Sequence, residues 1–180
     1  MLNEAGIDFD VIVSSTDEDS IKKQISSLPF SAQVTLLAKA KAEPVSIQNP
    51  NSIIIGGDQM CAFGKMLLHK PRSKEKAIES LKTLSNQKHH QHSGVCILKN
   101  NKCLWEYSET VELKMHDLTE KEIINYVELE NPLNAAGSYK FESLGCQLFE
   151  YVNGSSHTVR GMPLLPLLNA LRELNIISLE

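Results

Sequence analysis

Asp58 closes an apolar run, Ser52-Ile53-Ile54-Ile55-Gly56-Gly57-Asp58, and Lys70-Pro71 follows shortly downstream. Apolar residues on both sides of Gly64-Lys65 predict a β-hairpin with its tip there. A two-residue turn sets Phe63 opposite Met66, Gln59 opposite Lys70 and Asp58 opposite Pro71, so Lys70 returns beside Asp58. If the strand ends at Asp58, its carboxylate lies at the edge where open α/β sheets place ligands, and Gly56 and Gly57 let a substrate or another backbone come close. An acid and a lysine so placed make a site for a metal plus a phosphate. The plain alternative is a surface salt bridge worth about 0 to 1 kcal/mol. Two further stretches favour chemistry. Lys39 and Lys41 stand late in a helix just before the Asp58 strand, and a glycine-bounded loop, Ala136-Gly137-Ser138-Tyr139-Lys140-Phe141-Glu142, carries an acid. These parts can hold a triphosphate and read a base.

Positioning such groups needs a sheet with helices. Phe9 to Ser15 reads as a strand, and Asp17-Glu18-Asp19-Ser20 as a polar turn. Pro29 to Ala42 reads as a helix opened by proline, with Pro44 to Asn51 as loop. The isoleucine run is a strand buried on both faces. Ser73 N-caps an amphipathic helix, Ser93 to Leu98 and Cys103 to Met115 are strands around the Lys99-Asn100-Asn101-Lys102 turn, and Thr119 with Glu122 has capping-box spacing. Cys146 to Gly154 reads as a strand, and Pro163 and Pro166 lie in the first turn of a final helix. Mixed periods of two and 3.6 residues argue for an α/β domain.

The 180 residues fit one domain, 1–180. With 42% hydrophobic and 22% charged residues the chain has globular composition, and a net charge of −4 argues against a nucleic-acid partner. The start carries acids and no long apolar stretch, which excludes a secretory signal or membrane span there and leaves a cytoplasmic enzyme or binding protein. Cys61, Cys96, Cys103 and Cys146 lack a metal-binding spacing and read as reduced core residues. His89, His90 and His92 sit without a carboxylate in a loop before a strand, so a structural hydrogen bond is the better role for His89. Lys39 reads as solvated, and Trp105 and Tyr107 as packing residues. The leucine-rich C-terminal helix reads as core, with a homodimer face as the alternative.

The series Asp17-Glu18, Leu37-Ala38-x-x-Lys41-Ala42, Gly57-Asp58, Lys70-Pro71, Leu84-Ser85, His89, Ser93-Gly94-Val95, Ala136-Gly137-Ser138-Tyr139 and Gly161-Met162-Pro163-Leu164 resembles, in order and spacing, the Maf family of nucleoside triphosphate pyrophosphatases. The resemblance implies a Maf-like mixed twisted β-sheet flanked by helices, as in house-cleaning pyrophosphatases. It also implies a divalent cation, Mg or Mn, and hydrolysis of a nucleotide to its monophosphate plus pyrophosphate. By position, Asp58 is similar to the family's general base, Glu18 to a metal- or water-positioning carboxylate, and Lys41 and Lys70 to phosphate ligands, with Glu18 and Asp58 the implied metal ligands. A lysine beside Asp58 should keep it ionised.

The branch acting on 7-methyl-GTP resembles this chain at Gln59 and Glu142, where the thymidine- and uridine-triphosphate branch has threonine and glutamine. A carboxylate accepts from the N1 and N2 donors of guanine, and its charge favours the cationic methylated base. The family's opening strand and Ser-x-Ser-Pro-x-Arg-like loop have no match here, which implies a start assigned too far downstream or a truncated chain. The alternatives are a dTTP/UTP pyrophosphatase of the same family, or a truncated, non-catalytic nucleotide-binding protein linked to cell division.

Overall fold

A computed structural model describes residues 1–179. The chain forms two compact units. The first comprises Met1–Gln59, Ser93–Glu109 and the residues from Gly161 on; the second comprises Met60–His92 and Thr110–Arg160. Among the described residues five strands form one sheet in the order β2-β1-β3-β4-β5, with β1 Ile54–Phe63, β2 Met66–Leu68, β3 Lys88–Lys99, β4 Lys102–Met115 and β5 Phe149–Asn153. This is the expected α/β class. No helix among the described residues is long and apolar enough to cross a membrane.

In the first unit, α1 (Glu18–Ile25) and α2 (Phe30–Gln48) precede β1, and α6 (Leu164–Glu173) follows near the end. Asp17 N-caps α1 by accepting from the Ser20 amide, so the acidic stretch begins a helix where a turn was expected. Helix α2 continues through Pro44, where the sequence predicts a loop. Proline has no N–H for the carbonyl four residues back. Here that carbonyl, Ala40 O, accepts from the Thr16 hydroxyl at 2.8 Å, so the helix loses a bond without stranding an acceptor.

Helix α2 presses against the sheet at two glycines. A Cβ on Gly56 would lie 2.4 Å from Ala38 O, and one on Gly94 would lie 2.5 Å from the Val34 carbonyl carbon. The close backbone approach expected at Gly56 is therefore made by α2. Ala38 and Ala42 pack with Cys96 and Leu98 there, while Leu164, Leu167 and Leu171 of α6 pack with Val95 and Ile97. The C-terminal helix thus supplies core, as its leucines predict.

Phe9 to Ser15 forms no strand. A strand needs a neighbour's ladder to satisfy its backbone, and this segment is not among the five that pair. Val11 is 81% and Val13 89% exposed.

In the second unit, β1 and β2 pair antiparallel with Phe63 opposite Met66, as the turn chemistry predicts. The ladder ends at Cys61 opposite Leu68, however, so the expected pairings of Gln59 with Lys70 and Asp58 with Pro71 do not form. Helix α3 (Lys74–Leu84) has the expected Ser73 cap, and α4 (Glu120–Glu130) has the full capping box. Asn100 and Asn101 join β3 to β4 with φ of 51° and 57°, the two left-handed residues of a tight hairpin turn. Strand β3 contains the whole histidine stretch, which is ladder and not loop. Strand β5 pairs antiparallel with β4 and is followed by the short helix α5 (Ser156–Val159). Leu81, Leu84, Val111, Leu113, Met115, Ile123 and Val127 fill the core of this unit.

Candidate functional site

Asp58 stands inside β1 and not at its end, in a ladder that continues to Phe63. The alternation of a strand puts it on the face of Gly56, two residues before, and that is the face α2 presses. Lys41, next to Ala42 on α2, therefore reaches it: Lys41 Nζ donates to Asp58 Oδ1 at 2.6 Å. The same ammonium lies 3.1 Å from Glu18 Oε1, and Lys22 Nζ donates to Glu18 Oε2 at 3.1 Å. Thr16, two residues before Glu18, is tied to α2 through Ala40 O, which holds the start of α1 against the lysine helix. Lys22 lies one turn beyond Glu18 on α1 and was not singled out from the sequence, although its i,i+4 spacing from an acid was visible there.

Burial separates the members of this cluster. Asp58 is 8% exposed, whereas the side chains of Lys41 and Glu18 are 25% and 38% exposed. Desolvation pushes the Asp58 carboxyl above the ordinary aspartate range against the opposing hydrogen bond and charge of Lys41. Desolvation also disfavours the Lys41 ammonium, but its bonds to Asp58 and Glu18 outweigh that and hold it above the usual lysine value. Glu18 is pulled below its usual range because Lys41 and Lys22 overcome its partial burial.

Asp58 Oδ2 is buried and has no hydrogen-bond partner. A buried carboxylate oxygen left without a donor is costly, and it offers an acceptor to a ligand, a proton or a cation. The donor set at hand is two carboxylates, oxygen only, which suits a hard divalent cation and not a thiolate- or imidazole-seeking one. Among the described residues no group of three or more His, Cys, Asp or Glu side chains gathers to hold a metal. A cation here would therefore draw its remaining ligands from phosphate oxygens and water, the habit of Mg²⁺.

Of the six residues singled out from the sequence, the structure brings Glu18, Lys41 and Asp58 together. Gln59 follows Asp58 in β1, and its amide oxygen would lie 3.5 Å from a Cβ placed on Gly161. Lys70 and Glu142 belong to the second unit. Lys70 follows β2, and the cation bonded to Asp58 is Lys41. Glu142 is exposed on a loop tied to α4 on both sides. Lys140 N donates to the Tyr126 hydroxyl at 3.0 Å, and Leu144 N donates to Glu130 Oε2 at 3.1 Å.

Lys39, expected to be solvated, forms an ion pair with Glu106 at 2.9 Å. The second unit also holds a neutral polar cluster. His89 Nε2 and Gln91 Nε2 meet the Tyr139 hydroxyl at 2.9 and 2.7 Å, giving His89 the structural hydrogen bond expected of it. All four cysteines are free, as expected, but only Cys61 and Cys96 lie in the core; Cys103 and Cys146 are exposed.

A family model described as Maf-like protein matches residues 1–174. A nucleoside triphosphate pyrophosphatase of Legionella pneumophila (strain Corby) is 39% identical over 179 residues, which cover 99% of this chain and 90% of that protein. A nucleoside triphosphate pyrophosphatase of Rhodopseudomonas palustris (strain BisB18) is 34% identical over 181 residues, covering 99% and 89%. A protein of Rhizobium etli named 7-methyl-GTP pyrophosphatase is 35% identical over 182 residues, covering 99% and 92%.

Proposed function

The chain belongs to the Maf family, and from that premise we propose that it is a nucleoside triphosphate pyrophosphatase whose substrate is 7-methyl-GTP, hydrolysed to the monophosphate plus pyrophosphate. The observation that carries the reading is Asp58: buried, bonded through one oxygen to Lys41 and left with a free acceptor on the other. Asp58 takes a proton from water as the water oxygen bonds to the α-phosphorus. The bond from that phosphorus to the bridging oxygen breaks, and pyrophosphate leaves with the electron pair. The raised pKa of Asp58 suits a group that must accept a proton. Glu18 orients the water, and Lys41 offsets negative charge on the phosphates.

Glu18 and Asp58 would hold a divalent metal, Mg²⁺ or Mn²⁺, which when bound supplies further neutralisation of phosphate charge. The family resemblance gives Lys70 the part of a second phosphate ligand. It gives Gln59 and Glu142 the part of reading a methylated guanine, a role that suits an exposed carboxylate on a tied loop.

The test is pyrophosphate release with Mg²⁺ or Mn²⁺ from 7-methyl-GTP, GTP, UTP and dTTP. The reading expects 7-methyl-GTP to have the highest kcat/KM. Preference for UTP and dTTP would move the chain to the other branch. Silence from a folded chain that still binds nucleotide would leave a binding protein.

A further inference from the structure

A cavity of about 300 Å³ lies wholly within the second unit, between the segment from β2 to Arg72 and one face of α3. Its lining includes His69, Lys70, Arg72 and Lys76 and no acidic residue, although the whole chain is acidic, at −4. Lys76, Ser80 and Thr83 project from α3 at helical spacing, so they share the face turned to the cavity. Lysines elsewhere on that helix are already neutralised, Lys74 by Glu128 and Lys82 by Glu120. Among the described residues Lys70, Arg72 and Lys76 have no acidic partner. Two observations besides charge point to a ligand. Ser80 Oγ is buried without a hydrogen-bond partner, and an orphaned hydroxyl at a cavity wall has a donor to offer. Arg72 is held at φ 66° by its amide bond to Leu133 O at 3.1 Å, a conformation that costs energy and persists only where its surroundings enforce it.

We propose that this cavity binds a phosphate-type oxyanion, with Arg72 and Lys76 as its cationic ligands and Ser80 Oγ as a hydrogen-bond donor. A planar guanidinium matches phosphate oxygens through two parallel bonds, and a lysine and a hydroxyl complete a tetrahedral ligand's coordination. The proposal stands on the cavity and its charge and goes beyond the hydrolytic reading. Its ligand is either the terminal phosphates of a bound nucleotide, in which case it deepens that reading, or a free oxyanion such as pyrophosphate.

Calorimetric titration of the full chain with inorganic pyrophosphate tests it. The wild type should bind, more weakly as salt rises. Arg72→Gln with Lys76→Gln should weaken binding at least tenfold, and Ser80→Ala severalfold, with thermal melting confirming that each variant is folded. Lys74→Gln with Lys82→Gln removes the same charge from the paired lysines and should leave affinity within twofold. No binding by the wild type overturns the proposal. So does affinity lost equally in both double variants, or lost in Lys41→Gln and kept in Arg72→Gln with Lys76→Gln. A saturating non-hydrolysable nucleoside triphosphate then separates the sources: displaced pyrophosphate assigns the cavity to the nucleotide's phosphates, and retained pyrophosphate to a free oxyanion. A chain that hydrolyses no nucleotide yet shows Arg72-dependent pyrophosphate binding keeps this proposal and loses the hydrolytic one.

Discussion

The first unit gathers Asp58, Lys41 and Glu18, and the second gathers His89, Tyr139 and Gln91; both groups are polar, and both contain buried atoms without partners. Asp58 Oδ2 is orphaned in one, and His89 Nδ1 and Gln91 Oε1 in the other. An orphaned atom therefore does not by itself mark a site. The difference lies in ionisation and access. Lys41 and Glu18 reach solvent and keep their charges, while Asp58 sits just beneath them with its carboxyl pushed upward. In the second cluster burial pushes His89 down to about 4 and raises Tyr139 well above its usual range, so both stay neutral. Tyr139 and Phe149 rings close around the histidine. One arrangement holds a carboxyl whose proton affinity is raised beside charged groups that reach solvent; the other stiffens a fold.

The contrast is broken most sharply at Asp58. Asp58→Asn should lower pyrophosphate release by about 10²- to 10⁴-fold. Its urea midpoint should hold or rise, since burial disfavours the ionised carboxylate that is removed. A large loss of stability with activity kept would invert the two clusters. Lys41→Met should also slow turnover, and it carries a sign. Lys41 holds the Asp58 pKa down, so its removal raises that pKa and moves the acid limb of kcat/KM to higher pH. In the wild type that limb should already lie above the ordinary aspartate range.

The second cluster should answer in stability and not in rate. Between about pH 4 and 6.5 the unfolded chain binds a proton at His89 that the folded chain refuses. Stability conferred by the neutral histidine is thus present above pH 6.5 and lost as pH falls toward 4, by up to about 3 kcal/mol. Urea unfolding across that window should show the slope, and His89→Gln should make it shallower, leaving the part due to His92, which burial also lowers to about 4, while kcat changes little. Tyr139→Phe should cost about 1–3 kcal/mol by stranding two further polar groups, again with kcat nearly kept. The smallest effect should come from Thr16→Val, which strands Ala40 O and loosens α1: about 1 kcal/mol by thermal melting, with a severalfold fall in kcat/KM.

Local chemistry was legible in the sequence. The Thr119–Glu122 capping box, the Ser73 cap and the Gly64-Lys65 turn each involve residues a few positions apart, and each formed as written. What depended on distant partners was not. Phe9 to Ser15 has strand-forming residues, but no strand pairs with it. Pro44 should end a helix, but Thr16, far away in sequence, supplies the bond that lets α2 continue. A hairpin ladder extended from Gly64-Lys65 would bring Lys70 beside Asp58, but the ladder stops at Cys61. Lys41 arrives by another route, through the contact of α2 with Gly56 and Gly94, which no hairpin arithmetic contains.

The central claim is that Asp58, with Lys41 and Glu18, directs water at the α-phosphorus. It is tested most directly by hydrolysing 7-methyl-GTP in ¹⁸O-labelled water and locating the label by mass spectrometry. The account predicts ¹⁸O in the nucleoside monophosphate and none in the pyrophosphate. Label in the pyrophosphate, which means attack at the β-phosphorus, would contradict it.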